Sequence, residues 1–319
     1  MGSKNNTNNP DGQQQKQATI KKLLNRLSSL PNITVKTQIK LKNYTSFKVG
    51  GPADIFLIPH NITALQNTVK ILDNKIPYFV LGKGSNIIIS DSGYRGAIIS
   101  TEKIDHLQNE GQKITAGAGI TLSRLAGEAL ENGLSGLEFA AGIPGTLGGA
   151  LYMNAGAYGT DIKEVVSQVS LINNHGELID YSKNELQLSY RSSILQYKNM
   201  IAVEVTMVLD KKNKEKIKQK MKELNKKRRK KQPLEYPSAG SAFKRPPGNY
   251  AGKLIEEAGL KGTRIGDAMV SKKHAGFIIN CGQATARDIK ELMELVQKKV
   301  FQKSGIRLEP EPRFIGDFD

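Results

Sequence analysis

At 319 residues the chain is longer than one small core needs and fits about two domains, and its 38% hydrophobic residues suffice to fill them. No run nears the ~18 apolar residues of a membrane span, and the N-terminal MGSKNNTNNPDGQQQ has no apolar stretch after its lysine, so the protein is expected in the cytoplasm. The net charge of +17 invites a nucleic-acid reading, but 13 Lys or Arg against only Glu215 and Glu223 lie between Lys211 and Lys231, a local +11.

Residues 1–15 are nearly devoid of apolar side chains and read as a disordered tail. From Lys16 the spacing in KQATIKKLLNRLSSL predicts a helix that Pro31 stops, and a second helix runs from about Ile62 to Leu72. ADIFLIP, YFVLG, NIIIS and GAIIS are short β-branched runs bounded by Gly, Asn, Asp and Pro, which predicts strands; the helix TLSRLAGEALENG follows ITAGAG. Further strands are predicted in QVSLIN, GELIDY and MIAVEVTMVL. The basic helix after them, from Lys211 to Lys231, looks like a domain boundary. Beyond it, helices are expected at about Asn249–Glu257 and Thr285–Phe301, with strands around Ala268–Val270, Gly276–Ile279 and Arg307–Leu308. The mixture is α+β without βαβ repetition, and no internal repeat is evident. Cys281, the single cysteine, cannot close an internal disulfide and reads as a small buried side chain in GFIINCG.

Three loops combine glycine with small polar residues: KVGGPAD, LGKGSNIIISD and GIPGTLGGALYMNAGAYG. Glycine lets backbone N–H groups come close to an anion, which is how a phosphate is cradled; turn punctuation is the alternative for any one loop alone. GKGSN lacks Walker spacing and GAGITLS lacks the third glycine of the Rossmann fingerprint, so a dinucleotide would have to be held by several unrelated loops.

In order, TSFKVGGPAD, LGKGSNIIISD, GLEFAAGIPGTLGGALYMNAGAYG, YRSS, YPSAGSAFKRP and LEPEPRFIG resemble the UDP-N-acetylenolpyruvoylglucosamine reductase (MurB) family over Thr45–Gly316. The branch resembled is the one lacking an extra tyrosine-bearing loop. The resemblance implies a vanillyl-alcohol-oxidase-type FAD-binding region of two small lobes, about 16–100 and 101–210, and a C-terminal α+β substrate-binding domain, 211–319. It implies non-covalent FAD, NADPH as reductant and reduction of UDP-N-acetylglucosamine enolpyruvate to UDP-N-acetylmuramate in peptidoglycan precursor synthesis. A monomer with small-molecule partners is expected, with no metal and no nucleic acid. The alternatives are another FAD-linked oxidoreductase of the same fold, or a nucleic-acid-binding protein organised around the basic helix.

On the matching motifs the cofactor contacts fall to Gly50, Gly51 and Pro52, to Gly82, Lys83, Gly84, Ser85 and Asn86, and to Gly142, Ile143, Pro144, Gly145, Thr146, Gly148 and Gly149. The catalytic roles fall to Arg191 of YRSS, Ser241 of AGSAF and Glu311 of PEPRF. Arginine's planar fork suits a carboxylate, the prolines around Glu311 fix its direction, and a small hydroxyl can deliver a proton where geometry dominates. From the residues alone Glu309 rivals Glu311, and Ser238 is a second candidate hydroxyl. Arg228, Arg229 and Lys231 offer counter-charge to a UDP diphosphate, and Lys244 is a further candidate. Many relatives carry Asn where this chain has Arg245, which puts an amide contact there in doubt. His60 reads as a surface residue, and His274 as either a cleft or a structural residue.

Overall fold

The computed structural model describes residues 10–318. Helix α1 (Pro10–Ser28) starts six residues before the expected Lys16 and takes in residues 10–15 of the polar segment; residues 1–9 lie outside the described residues. Proline suits a first helical position because the N–H it lacks would be unpaired there. Leu23 and Leu27, one turn apart, seal the helix onto the first lobe.

That lobe consists of β1 (Ile33–Lys40), β2 (Pro52–Pro59), α2 (Ile62–Leu72), β3 (Tyr78–Leu81), β4 (Ile87–Ile89) and β5 (Tyr94–Ser100). The Asn61 side chain accepts from the Ala64 N–H at 2.8 Å and so starts α2. The sheet runs β1-β2-β5-β3; β1 is antiparallel, whereas β2 and β3 both run parallel to β5. One split β–α–β crossover is therefore present, and it is not repeated.

The second lobe holds β6 (Leu107–Glu110), β7 (Lys113–Gly117), α3 (Leu122–Glu131), β8 (Leu134–Ser135), α4 (Leu147–Tyr152), the hairpin β9–β10 (Gly156–Ala157 and Thr160–Asp161), β11 (Val166–Ile172), β12 (Leu178–Ser182), β13 (Ile201–Val208) and β14 (Asp210–Lys211). Its sheet, β12-β11-β13-β7-β6, is antiparallel throughout. Leu122, Leu125, Ala126 and Ala129 of α3 join the core that this sheet shares with α4.

The basic helix α5 (Lys214–Lys231) corrects the expected boundary. Ile217, Leu224 and Arg228 are buried; Leu224 and the adjoining Met221 pack into the second lobe's core. Strand β14, just before α5, pairs with β8 of the same lobe. A narrow apolar stripe at helical spacing, hidden among lysines, thus keeps this helix with the two preceding lobes, and the change of packing partner falls after Lys231 instead of at residue 211.

The last unit has α6 (Ala251–Glu257), the sheet β15-β16-β17 (Arg264–Ile265, Ala268–Val270, Ile278–Asn280), α7 (Ala286–Ser304) and β18 (Arg313–Ile315). Helix α7 opens with a capping box between Thr285 and Asp288 and ends at Gly305, φ 70°, the left-handed stop that glycine adopts freely. No strand forms at Arg307–Leu308: Leu308 is buried, but the pairing goes to β18, which lies parallel to β4 of the first lobe. Cys281 is half-buried, because it sits in the turn after β17 where its N–H donates to Asp267 O. Among the described residues no helix is long and apolar enough to cross a membrane.

Candidate active site

A cavity of about 1080 Å³ lies where the two lobes and the last unit meet. The turn from β3 to β4 supplies Gly82, Lys83, Gly84, Ser85 and Asn86 to one wall; Ile143, Pro144, Gly145, Thr146, Gly148 and Gly149, entering α4, supply the facing wall. Among the described residues the backbone N–H groups of Lys83, Gly84, Ser85, Gly145 and Thr146 have no acceptor in the protein, an array of donors of the kind that cradles an anion. Gly84 has φ 63°, and a Cβ there would overlap the Tyr44 carbonyl; a Cβ on Gly82 would overlap the Thr146 hydroxyl. These donors, with few cations among them, fit the pyrophosphate of FAD. Gly84→Ala is expected to weaken FAD binding at least tenfold and to lower the thermal midpoint, both measurable by flavin fluorescence, since the strain exceeds the ~1 kcal/mol by which alanine otherwise helps.

Four of the expected cofactor residues lie off this wall. Gly51 and Pro52 face the turn between β4 and β5, where a Cβ on Gly51 would overlap Asp91 O, so glycine there permits backbone packing; Gly50 packs against the Ile89 and Leu41 side chains. Gly142 is covered by Asn225 and Arg228, and its carbonyl accepts a hydrogen bond from Arg228 Nη1.

A second cavity of about 630 Å³ shares Arg191, Ser241, His274 and Glu311 with the first, so these four stand at the seam between the two. The backbone explains how distant segments converge. Residues 242–244 pair with 309–311 through Glu311 N–H to Ala242 O (3.1 Å) and Lys244 N–H to Glu309 O (2.8 Å). Asn86 Nδ2 donates to Glu311 O at 3.2 Å, and Arg313 N–H donates to Asn86 O at 3.0 Å, which ties the glycine turn to the carboxyl segment. Arg191 Nε donates to Glu311 Oε1 at 2.5 Å. Arg191 has φ 54°, a left-handed conformation that costs an ordinary L-residue about 1–2 kcal/mol.

The same geometry separates the rivals. Glu309 is exposed and paired with Lys244, while the Glu311 side chain is only 12% exposed. Burial raises the Glu311 carboxyl pKa above its usual range, opposed by Arg191 and Lys244. Ser241 is half-buried, and its hydroxyl makes no hydrogen bond among the described residues. Ser238 borders the first cavity alone.

The cations proposed for a diphosphate do not act as one cluster. Arg228 and Lys231 border the first cavity, and Arg228 is buried, its pKa lowered by that burial. Arg229 and Lys244 border neither, Lys244 being held by Glu309. The second cavity instead has Arg245, stacked 4.0 Å from the Tyr250 ring centroid, and Lys273. His60 is exposed and bonded to Thr34. His274 is half-buried with its pKa lowered mainly by burial, and its Nδ1 accepts from the Gly276 N–H at 3.1 Å, so it is a cleft residue and a structural one at once. Sequence reasoning missed Arg313, which lies over the Tyr152 and Phe79 rings (4.8 and 5.4 Å) on the cavity wall; its position in PEPRF was the available signal.

Residues 53–182 match the FAD binding domain model, and residues 232–315 match the model of the UDP-N-acetylenolpyruvoylglucosamine reductase C-terminal domain. The second match begins at Gln232, where the packing changes. The UDP-N-acetylenolpyruvoylglucosamine reductase of Clostridium novyi is 49% identical over 91% of this chain and 95% of its own length, and that of Caldanaerobacter subterraneus 50% identical over 87% and 92%. The crystal structure of the enzyme from Thermus caldophilus superposes with a TM-score of 0.78 at 37% identity, covering 89% of this chain and all of that one. With α+β architecture, two flavin-type lobes of the vanillyl-alcohol-oxidase kind and a matching C-terminal domain, the chain belongs to the UDP-N-acetylenolpyruvoylglucosamine reductase family.

Proposed function

We propose that this protein uses FAD and NADPH to reduce UDP-N-acetylglucosamine enolpyruvate to UDP-N-acetylmuramate for peptidoglycan precursor synthesis. The observation that carries the reading is the seam: Arg191, Ser241 and Glu311 border both the cavity whose free N–H groups suit a pyrophosphate and the cavity beside it. FAD held in the first cavity would supply the hydride that reaches the terminal carbon of the enolpyruvyl group. Arg191 and Glu311 then stabilise the charge that shifts onto the substrate carboxylate. Ser241 gives its proton to the adjacent carbon, which completes the reduction.

The second cavity, with Arg245 and Lys273, offers counter-charge to the diphosphate of the sugar and to NADPH, which would use it in turn. Arg228 and Lys231 serve the flavin side. The working units are a flavin-binding part through Lys231 and a substrate-binding part after it. Action as a monomer in the cytoplasm belongs to the same proposal. An absorbance spectrum followed by anaerobic NADPH and then the enolpyruvyl sugar tests the reading. Bleaching of bound flavin and return of its colour with the sugar are expected; flavin that bleaches but ignores the sugar would leave a different oxidoreductase on the same fold.

A further inference from the structure

Arg191 occupies the third position of a four-residue turn, Ser189–Ser192, closed by reciprocal backbone bonds of 3.1 Å between its end residues. With φ 54° it holds a place for which glycine or asparagine is the ordinary choice. A side chain kept in such a conformation needs its surroundings to hold it there. Two amides grip this turn. Gln196 Nε2 donates to Arg191 O at 3.0 Å and to Tyr152 O at 2.8 Å. Asn154 Nδ2 donates to Ser189 O at 3.0 Å and to Asp161 Oδ2 at 3.1 Å, while its own Oδ1 accepts from the Lys163 N–H. Asn154 is buried, itself at φ 40°, and Gln196 borders the first cavity.

We infer that Gln196 and Asn154 are positioning residues for Arg191: they fix the peptides on either side of its turn and thereby aim its guanidinium at Glu311. The Arg191 carbonyl belongs to the peptide whose orientation is set by ψ of Arg191, so the Gln196 bond holds that torsion directly. Freed from it, the turn relaxes towards a conformation that suits arginine, and the guanidinium leaves the carboxyl. The role in turnover rests on the reductase reading; the Arg191–Glu311 geometry does not.

The test is Gln196→Met, which keeps the length and removes both N–H groups. The Glu311 carboxyl titration, followed by 13C-NMR of labelled glutamate and assigned with Glu311→Gln, is expected to move upward, because the cation that pulls it down has withdrawn. Reduction of the flavin by NADPH is expected to stay within about twofold, while reoxidation by the enolpyruvyl sugar slows about tenfold or more, in kcat more than in KM. An unmoved Glu311 titration would overturn the inference, as would equal loss in both half-reactions. The NMR readout needs no substrate, so failure of the wild type to be reoxidised would count against the reductase reading alone. Should Gln196→Met fail to fold, Gln196→Asn, whose shorter amide reaches at most one carbonyl, carries the same test with the same two outcomes.

Discussion

Ser241→Ala is expected to leave reduction of the bound flavin by NADPH within about twofold of wild type and to slow reoxidation by the enolpyruvyl sugar about 10³-fold, the scale of a removed general acid. The asymmetry follows from where the hydroxyl stands. It faces the seam without a hydrogen-bond partner among the described residues, so its removal opens no buried donor or acceptor and disturbs no network that holds the flavin. Only the step that needs a proton on carbon should suffer. Rapid-mixing absorbance separates the two half-reactions, and a parallel loss in both would remove Ser241 from the role.

Glu311→Gln is expected to slow reoxidation about 10²- to 10³-fold, within the range for loss of a positioned acid–base group. The amide keeps the shape and a donor but has no ionisable proton and no negative charge to pair with Arg191. The variant should also report on pH. Burial raises the Glu311 pKa in the folded state, so the contribution of this carboxyl to stability is fully present below its unfolded value and is lost as pH rises through the folded one. Glutamine does not titrate. The thermal midpoint of Glu311→Gln relative to wild type should therefore climb as pH increases across that window. A stability difference that does not change with pH would mean that burial does not govern this carboxyl.

Much of this molecule was legible in its sequence where the signal was local. Helices α2, α3 and α7 announce themselves by apolar spacing, and their caps Asn61, Thr121 and Thr285 are residues of the kind that start helices. Edge strand β1 was missed because its half-exposed ITVKTQIK, carrying Lys, Thr and Gln, gives little alternation. Strand β18 was missed because its only partner, β4, is more than 200 residues away, and three residues carry no pattern of their own. Helix α5 misled in the opposite sense: its charge advertised a separator, while Ile217, Met221 and Leu224 did the packing. At the site, motif resemblance singled out Arg191, Ser241 and Glu311, which border one seam, but no residue pattern discloses that Arg191 stands in a left-handed turn or that Gly51 serves backbone packing. Both are set by contacts between segments far apart in the chain.

The parallel pairing of β18 with β4 has a consequence for how the enzyme is made. The glycine turn that precedes β4 is anchored by Asn86 to Glu311, 225 residues further along, and to Arg313. On the ribosome both flavin lobes can be synthesised in full while this anchor is still unsynthesised. A chain cut short before Glu311 therefore lacks the carboxyl proposed for catalysis and the clasp on the glycine turn together.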